Sequence, residues 1–110
     1  MIVPSTWDEP FPLVTIEAAL ARVPIVASDV GGIGEGMRNG EHALLFARGD
    51  HETAAGALAR VLREPEETAA RVERARERAE SFRIGPYMEA QERFVLDAVE
   101  AVSAAHALRR

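Results

Sequence analysis

Two acids, Glu9 and Glu17, stand eight positions apart near the amino end of the chain. Carboxylates in such a pair can accept hydrogen bonds from ligand hydroxyls, and two of them could grip hydroxyl-rich groups on either side of a phosphate. A second segment, Asp29-Val30-Gly31-Gly32-Ile33-Gly34-Glu35, opens a short helical turn. Its Gly31-Gly32 pair lets a ligand approach the backbone closely. Each feature also has a plain reading: Glu9 as a solvated loop acid, and Gly31-Gly32 as a tight turn before a helix. The glycines do not form a dinucleotide fingerprint. Gly32 and Gly34 give the first spacing, but the next glycine would fall at Met37. No Walker lysine follows, and a dinucleotide-dependent oxidoreductase is a weak reading.

Glu17 carries a sharper expectation. At about 100° per residue from Leu13, Ile16 and Leu20 fall within about 60° and define a buried stripe, and Glu17 falls about 40° to the other side, inside that arc. A carboxylate turned toward a core is costly unless it is paired or hydrogen-bonded. It serves a ligand, or it is held by the helix N-terminus and a nearby arginine; periodicity leaves both open.

The elements that must position these groups follow from pattern. Ile2 to Pro4 read as the end of a buried strand, followed by the polar loop Ser5 to Pro10 and a helix from about Pro12 to Arg22. Pro24 to Ser28 is apolar on both faces, as strands of a covered parallel sheet are. After the turn at Asn39-Gly40, Ala43 to Ala47 is a third strand. Asp50 caps a helix reaching about Arg63, Pro65 separates it from a charged helix over Glu66 to Ser81, and Gly85-Pro86 breaks the chain before a last helix from Tyr87 to Leu108. The charged helix reads as a solvated face with pairs such as Glu67–Arg71.

This order predicts an α/β fold: a partial Rossmann-like three-layer sandwich with a short parallel sheet of three strands and carboxyl-terminal helices. Ligands of such sheets bind outside the carboxyl ends of the strands. The loops Ser5 to Phe11 and Asp29 to Glu35 should therefore lie side by side on one rim, each feeding a helix N-terminus that favours an anion. The whole chain, 1–110, reads as a single truncated domain, with an α/β part over 1–65 and a helical part over 66–110.

Composition excludes several classes. A net charge of -5 gives no basic footprint for nucleic acid. Without cysteine there is neither a disulfide framework nor a thiolate metal site. His42, His51 and His106 lack ligand spacing and read as surface or turn residues. No apolar run approaches the roughly 20 residues that span a bilayer, and no signal peptide is visible. A cytoplasmic location is expected, with any membrane association supplied by a longer parent chain. Alanine makes up much of the 47% apolar fraction, adding helix propensity and little buried area.

The run Pro4-Ser5-Thr6-Trp7-Asp8-Glu9-Pro10-Phe11-Pro12-Leu13-Val14-Thr15-Ile16-Glu17-Ala18 resembles the Glu-x7-Glu motif of glycosyltransferase family 4, the group 1 glycosyltransferases. Pro24 to Gly32 with Glu35, then Asn39-Gly40, Leu44-Leu45-Phe46 and Gly49-Asp50, are similar to the following segments of that family in order. The resemblance covers about the first 65 residues. It implies the carboxyl-terminal part of a nucleotide-sugar-binding domain in a GT-B architecture. The implied reaction is metal-independent, retaining hexosyl transfer from a nucleotide-sugar donor, without a cofactor. By the same resemblance Glu9 is the catalytic position at the donor sugar and Glu17 binds the ribose hydroxyls. Backbone N–H groups at Phe11 and Leu13 meet sugar and diphosphate, and Gly31 and Gly32 lie close to the donor. Pro12 stands where the family usually has glycine, and proline cannot donate.

The resemblance also implies an earlier acceptor domain and an earlier basic pair for the diphosphate, neither with a counterpart here. The arginines cluster on the later helices, so backbone dipoles alone would meet the diphosphate. The isolated chain is expected to be inactive, and an exposed sheet edge or the terminal helix to support a homodimer. The rival reading is a helical interaction module without catalysis, suggested by Tyr87, Phe94, Ala98, Val102 and Ala105 at helical spacing.

Overall fold

The computed structural model describes residues 1–82 and 84–109, with the side chains of Ile84, Pro86, Tyr87 and Met88 outside the described set. Three short parallel strands, β1 (Ile2–Val3), β2 (Val26–Ser28) and β3 (Leu44–Phe46), pair in the order β1-β2-β3. Val3 stands opposite Ala27, and Ala27 opposite Leu45. The helices are α1 (Leu13–Leu20), α2 (Ile33–Gly36), α3 (His51–Arg63), α4 (Pro65–Glu80) and α5 (Ile84–Ala107).

Alternation along the strands splits the core into two layers. Val26, Leu44 and Phe46 face α3, where they meet Ala54, Ala57 and half-buried Val61. Ala27 and Leu45 face the other way, into a cluster with Ile16, Ala18 and Ala19 of α1, Ile33 of α2, and Ala75 and Ala79 of α4. The expected three-layer α/β sandwich with three parallel strands is thus the fold observed.

Local signals explain most boundaries. The Asp50 carboxylate accepts from the Thr53 N–H at 3.0 Å and caps α3. Glu64 ends α3 and Pro65 starts α4, a position where its missing N–H costs nothing. Gly85-Pro86 does not break the chain. Both lie in the first turn of α5, where proline is tolerated for the same reason.

Two further expectations are revised. The charged helix α4 has the expected solvated face, with Glu66, Glu67, Glu73 and Glu77 exposed and the Glu67–Arg71 pair formed at 3.6 Å, but its other face is buried at Thr68, Arg71, Ala75 and Ala79. The alanines are core residues that let α1 and α4 approach closely, with Ala19, Ala75 and Ala79 almost inaccessible. Arginines also reach from α4 to main-chain carbonyls across the fold. Arg71 donates to Gly40, Arg74 to Glu41, and Arg78 to Gly36 and Glu35. By contrast, the described residues of α5 from Glu89 onward are exposed. A helix of that length spans about 36 Å. Its projection accounts for principal extents of 69 × 27 × 16 Å.

Candidate functional site

The loops after β1 and β2 meet at the carboxyl ends of the strands and dock through their backbones. The Gly32 N–H donates to the Glu9 carbonyl at 2.6 Å. Gly31 has φ of 52°, and a Cβ there would lie 2.5 Å from the Glu9 main-chain N and O. A Cβ on Gly32 would lie 2.9 Å from the Pro10 carbonyl oxygen. The glycine pair is therefore required by the neighbouring loop, whatever it does for a ligand.

Glu9 is half-buried, and a line of hydroxyls holds it. The buried Ser5 hydroxyl donates to Glu9 Oε1 at 2.8 Å. The Ser28 hydroxyl, fully buried at the end of β2, donates to the Ser5 carbonyl at 2.7 Å. The β-sheet thus fixes the carboxylate through two serines, and one Glu9 oxygen stays outside that hydrogen bond. The next residue, Asp8, pairs with Arg48 in the turn after β3. That exposed pair ties the first loop to the far strand and contributes little stability. Beside it, Asp29, Asn39, Phe46 and Arg48 help line an open groove of about 340 Å³.

Phe11 and Leu13 are both exposed at the start of α1. The Leu13 N–H, expected to face a ligand, donates to the Phe11 carbonyl at 2.9 Å. Leu13 and Gly32 are thus both engaged within the chain, and a ligand at either N–H would have to displace a main-chain acceptor. The second loop feeds a helix of only four residues, Ile33–Gly36, so the helix dipole expected there is small.

Glu17 does not lie toward the core. The buried face of α1 is Thr15, Ile16, Ala18 and Ala19, centred about 140° from Leu13. Leu13, Val14, Glu17 and Leu20 occupy the exposed face. Ala18 and Ala19 face inward beside Ile16, where Ala75 and Ala79 of α4 join the same cluster, and Leu13, Val14 and Leu20 lie on the outer side. Glu17 therefore needs no compensating partner, and Trp7, Phe11, Leu13 and Val14 are exposed on the loop and helix that carry the two acids.

Among the histidines, His51 and His106 are exposed, whereas His42 is buried in its turn. Its Nδ1 accepts from the Arg38 N–H at 3.1 Å. Burial pulls its pKa below the usual imidazole value, against the opposing pull of Glu41. Among the described residues, no three His, Asp or Glu side chains are grouped to hold a metal ion.

Residues 1–78 match the family described as glycosyl transferases group 1. The chain belongs to that family. Over 80 residues it is 42% identical to D-inositol 3-phosphate glycosyltransferase of Rhodococcus erythropolis, covering 73% of this chain and 18% of that protein. Over 80 residues it is 40% identical to glycogen synthase of Mycobacterium tuberculosis, covering 73% of this chain and 19% of that one. The chain thus spans less than a fifth of the length of these relatives. Among solved structures it superposes on sucrose-phosphate synthase from Thermosynechococcus elongatus with a TM-score of 0.79 at 31% identity, over 92% of this chain and 25% of that one. Anabaena HepE in complex with UDP gives a TM-score of 0.78 at 28% identity, over 88% of this chain and 27% of that one.

In this group 1 glycosyltransferase chain, the structure brings Glu9, Gly31 and Gly32 together and leaves Glu17 on the open face of α1. Sequence reasoning placed Ser5 and Asp8 on the rim loop without giving them a role, and it did not assign Ser28 or Arg48 to the rim. Ser5 stands one helical turn's spacing before Glu9, but nothing in its pattern distinguishes it from an ordinary loop serine. Arg48 was detectable as an arginine just past a strand's carboxyl end, on the same rim as the two loops.

Proposed function

We propose that the chain is the carboxyl-terminal half of the donor domain of a retaining, metal-independent glycosyltransferase of GT-B architecture. In this reading a nucleotide sugar lies against the rim formed by the two docked loops. Glu9, the catalytic position, stands at the donor sugar, with Phe11, Leu13, Gly31 and Gly32 lining the donor and Glu17 accepting from the ribose hydroxyls. The bond from the anomeric carbon to the diphosphate breaks, a bond to the acceptor oxygen forms on the same face, and the acceptor proton passes to an oxygen of the departing diphosphate. The observation that carries this reading is the Ser28–Ser5–Glu9 line, which fixes the carboxylate of the residue whose main chain meets the Gly31-Gly32 turn. The exposed position of Glu17 supports its role, since a ribose can reach it without opening the core. UDP bound to HepE, a structural neighbour, favours a nucleoside diphosphate as ligand. An acceptor domain from elsewhere would complete the active site, because transfer needs both substrates in near-attack geometry. The chain alone is therefore expected to turn over no acceptor.

Titration with UDP, GDP and ADP, followed by amide NMR, tests the reading. Shifts should concentrate in residues 5–17 and 29–36, with dissociation constants near millimolar, and Glu17→Ala should abolish them. Shifts scattered over α3 and α5, or unchanged in Glu17→Ala, would overturn the assignment.

A second reading rests on α5, where Phe94, Val95, Leu96, Val99 and Val102 are all exposed. It makes this helix an interaction surface whose occupant is a second copy, joined also along the edge strand β1 or by exchange of α5. Gly85-Pro86 is helical and so does not act as the hinge of such an exchange. Sedimentation equilibrium should show a dimer at micromolar concentration, and a single species of 12.0 kDa would remove this reading.

A further inference from the structure

A short aromatic and guanidinium cluster at the end of α4 touches both loops of the rim. The Phe82 ring meets the Phe11 ring edge-on, with centroids 6.1 Å apart and an interplanar angle of 73°. The Arg78 guanidinium lies over Phe82, 4.8 Å from the ring centroid. The same guanidinium donates from Nε to the Gly36 carbonyl and from a terminal nitrogen to the Glu35 carbonyl, both at 3.2 Å. Those carbonyls end α2, where helix geometry leaves acceptors without intrahelical donors and favours a cation. The Gly32 N–H closes the circuit by donating back to the Glu9 carbonyl. Phe11, Phe82, Arg78, the end of α2, Gly32 and Glu9 thus form one ring of contacts.

We propose that Arg78 and Phe82 are positioning residues for the donor site. They set the Glu9–Phe11 loop and the Gly31–Gly36 segment in mutual register before a nucleoside diphosphate arrives. This rests on the donor-site reading of the two loops, but the ordering itself exists without ligand. Phe82 is half-buried against the core, and Phe11 is exposed on its outer side, so the contact holds a loop that burial alone does not hold. Aromatic edge contacts and cation–π contacts stabilise modestly each, enough to shift a loop population several-fold without deciding the fold. Arg78 adds a planar fork that a lysine cannot reproduce.

The experiment measures amide hydrogen exchange and UDP binding on the full chain with Phe82→Leu, Phe82→Tyr and Arg78→Lys. The Gly32 amide, bonded across the circuit to the Glu9 carbonyl, and the Leu13 amide, bonded to the Phe11 carbonyl within the first loop, report on the loops, and the Ala54 amide in α3 is the reference. Phe82→Leu should raise exchange at Leu13 and Gly32 about three- to tenfold, leave Ala54 unchanged, and weaken UDP binding by a similar factor. Phe82→Tyr should restore both, because it keeps the ring. Arg78→Lys should raise exchange at Gly36 and Met37 most. Equal acceleration at Ala54 would show a core effect only, and no acceleration at Leu13 and Gly32 would end the proposal. If exchange responds as stated while UDP perturbs nothing in the parent chain, the positioning role stands and the donor reading fails.

Discussion

Helices α4 and α5 invert what their compositions suggest. α4, PEETAARVERARERAE, carries a single large aliphatic residue, Val72, yet it is packed into the fold. α5 carries Phe94, Val95, Leu96, Val99 and Val102, yet its described side chains face solvent. The difference shows that burial in this chain follows shape and carbonyl geometry more than apolar content. Alanines let α4 close on α1, and its arginines span to the carbonyls of residues 35–41. α5 has the apolar side chains but no facing surface among the described residues of this chain.

The largest expected effect breaks the α4 side of that comparison. Ala79 is wholly inaccessible between α4 and the core beneath α1. Ala79→Leu must push the helices apart and should cost about 3 kcal/mol in urea denaturation. Val99→Ser on α5 should stay within about 0.5 kcal/mol, as exposed substitutions do. If the two variants lost equal stability, α5 would be part of the cooperative fold.

A smaller effect isolates the arginines. Arg71 is 4% exposed and its guanidinium serves the Gly40 carbonyl and Glu67. Burial draws its pKa below the usual arginine value, with Glu67 opposing that pull. Arg71→Met keeps the aliphatic stem but leaves the carbonyl without its donor, which should cost about 2 kcal/mol. Arg93→Met on α5 is the matched control, expected within about 0.5 kcal/mol. A neutral Arg71→Met would mean that water replaces the guanidinium at Gly40.

These contrasts also mark what the sequence discloses. The three strands, the helix order and the meeting of the two loops follow from local pattern, because turn residues and apolar runs act over a few positions. The facing of α1 does not, because it depends on which helix packs against it. Leu13 and Leu20 read as a buried stripe until α4, some fifty residues on, brings alanines that select Ala18 and Ala19 instead. Glu9 was legible as a candidate and its support was not. Ser5 and Ser28 look ordinary until the parallel register of β1 and β2 places one carbonyl against one hydroxyl. The same holds for Phe82, whose partner Phe11 lies at the other end of the sandwich sequence.

The smallest effect is a pH dependence confined to the packed half. His42 is buried, and its Nδ1 is the acceptor for the Arg38 N–H, so the folded state needs the neutral ring. Burial lowers its pKa, and the cations Arg78, Arg38 and Arg74 lower it further, while Glu41 pulls the other way. The folded pKa thus lies below the unfolded value of about 6.5. Between those two values the unfolded chain binds more protons, so stability rises with pH there. The contribution is complete above about 6.5 and is lost as pH falls through the folded pKa. The Asp50 and Glu73 carboxylates, both lowered by hydrogen bonds, from Thr53 and from Arg22 with Arg76, act in the same direction at lower pH. Urea midpoints measured between pH 7.5 and 5 should therefore decline modestly in the parent chain. His42→Gln offers an amide oxygen to the Arg38 N–H and does not titrate, so its midpoint should stay level over that range. An equal decline in both proteins would place the titrating group elsewhere.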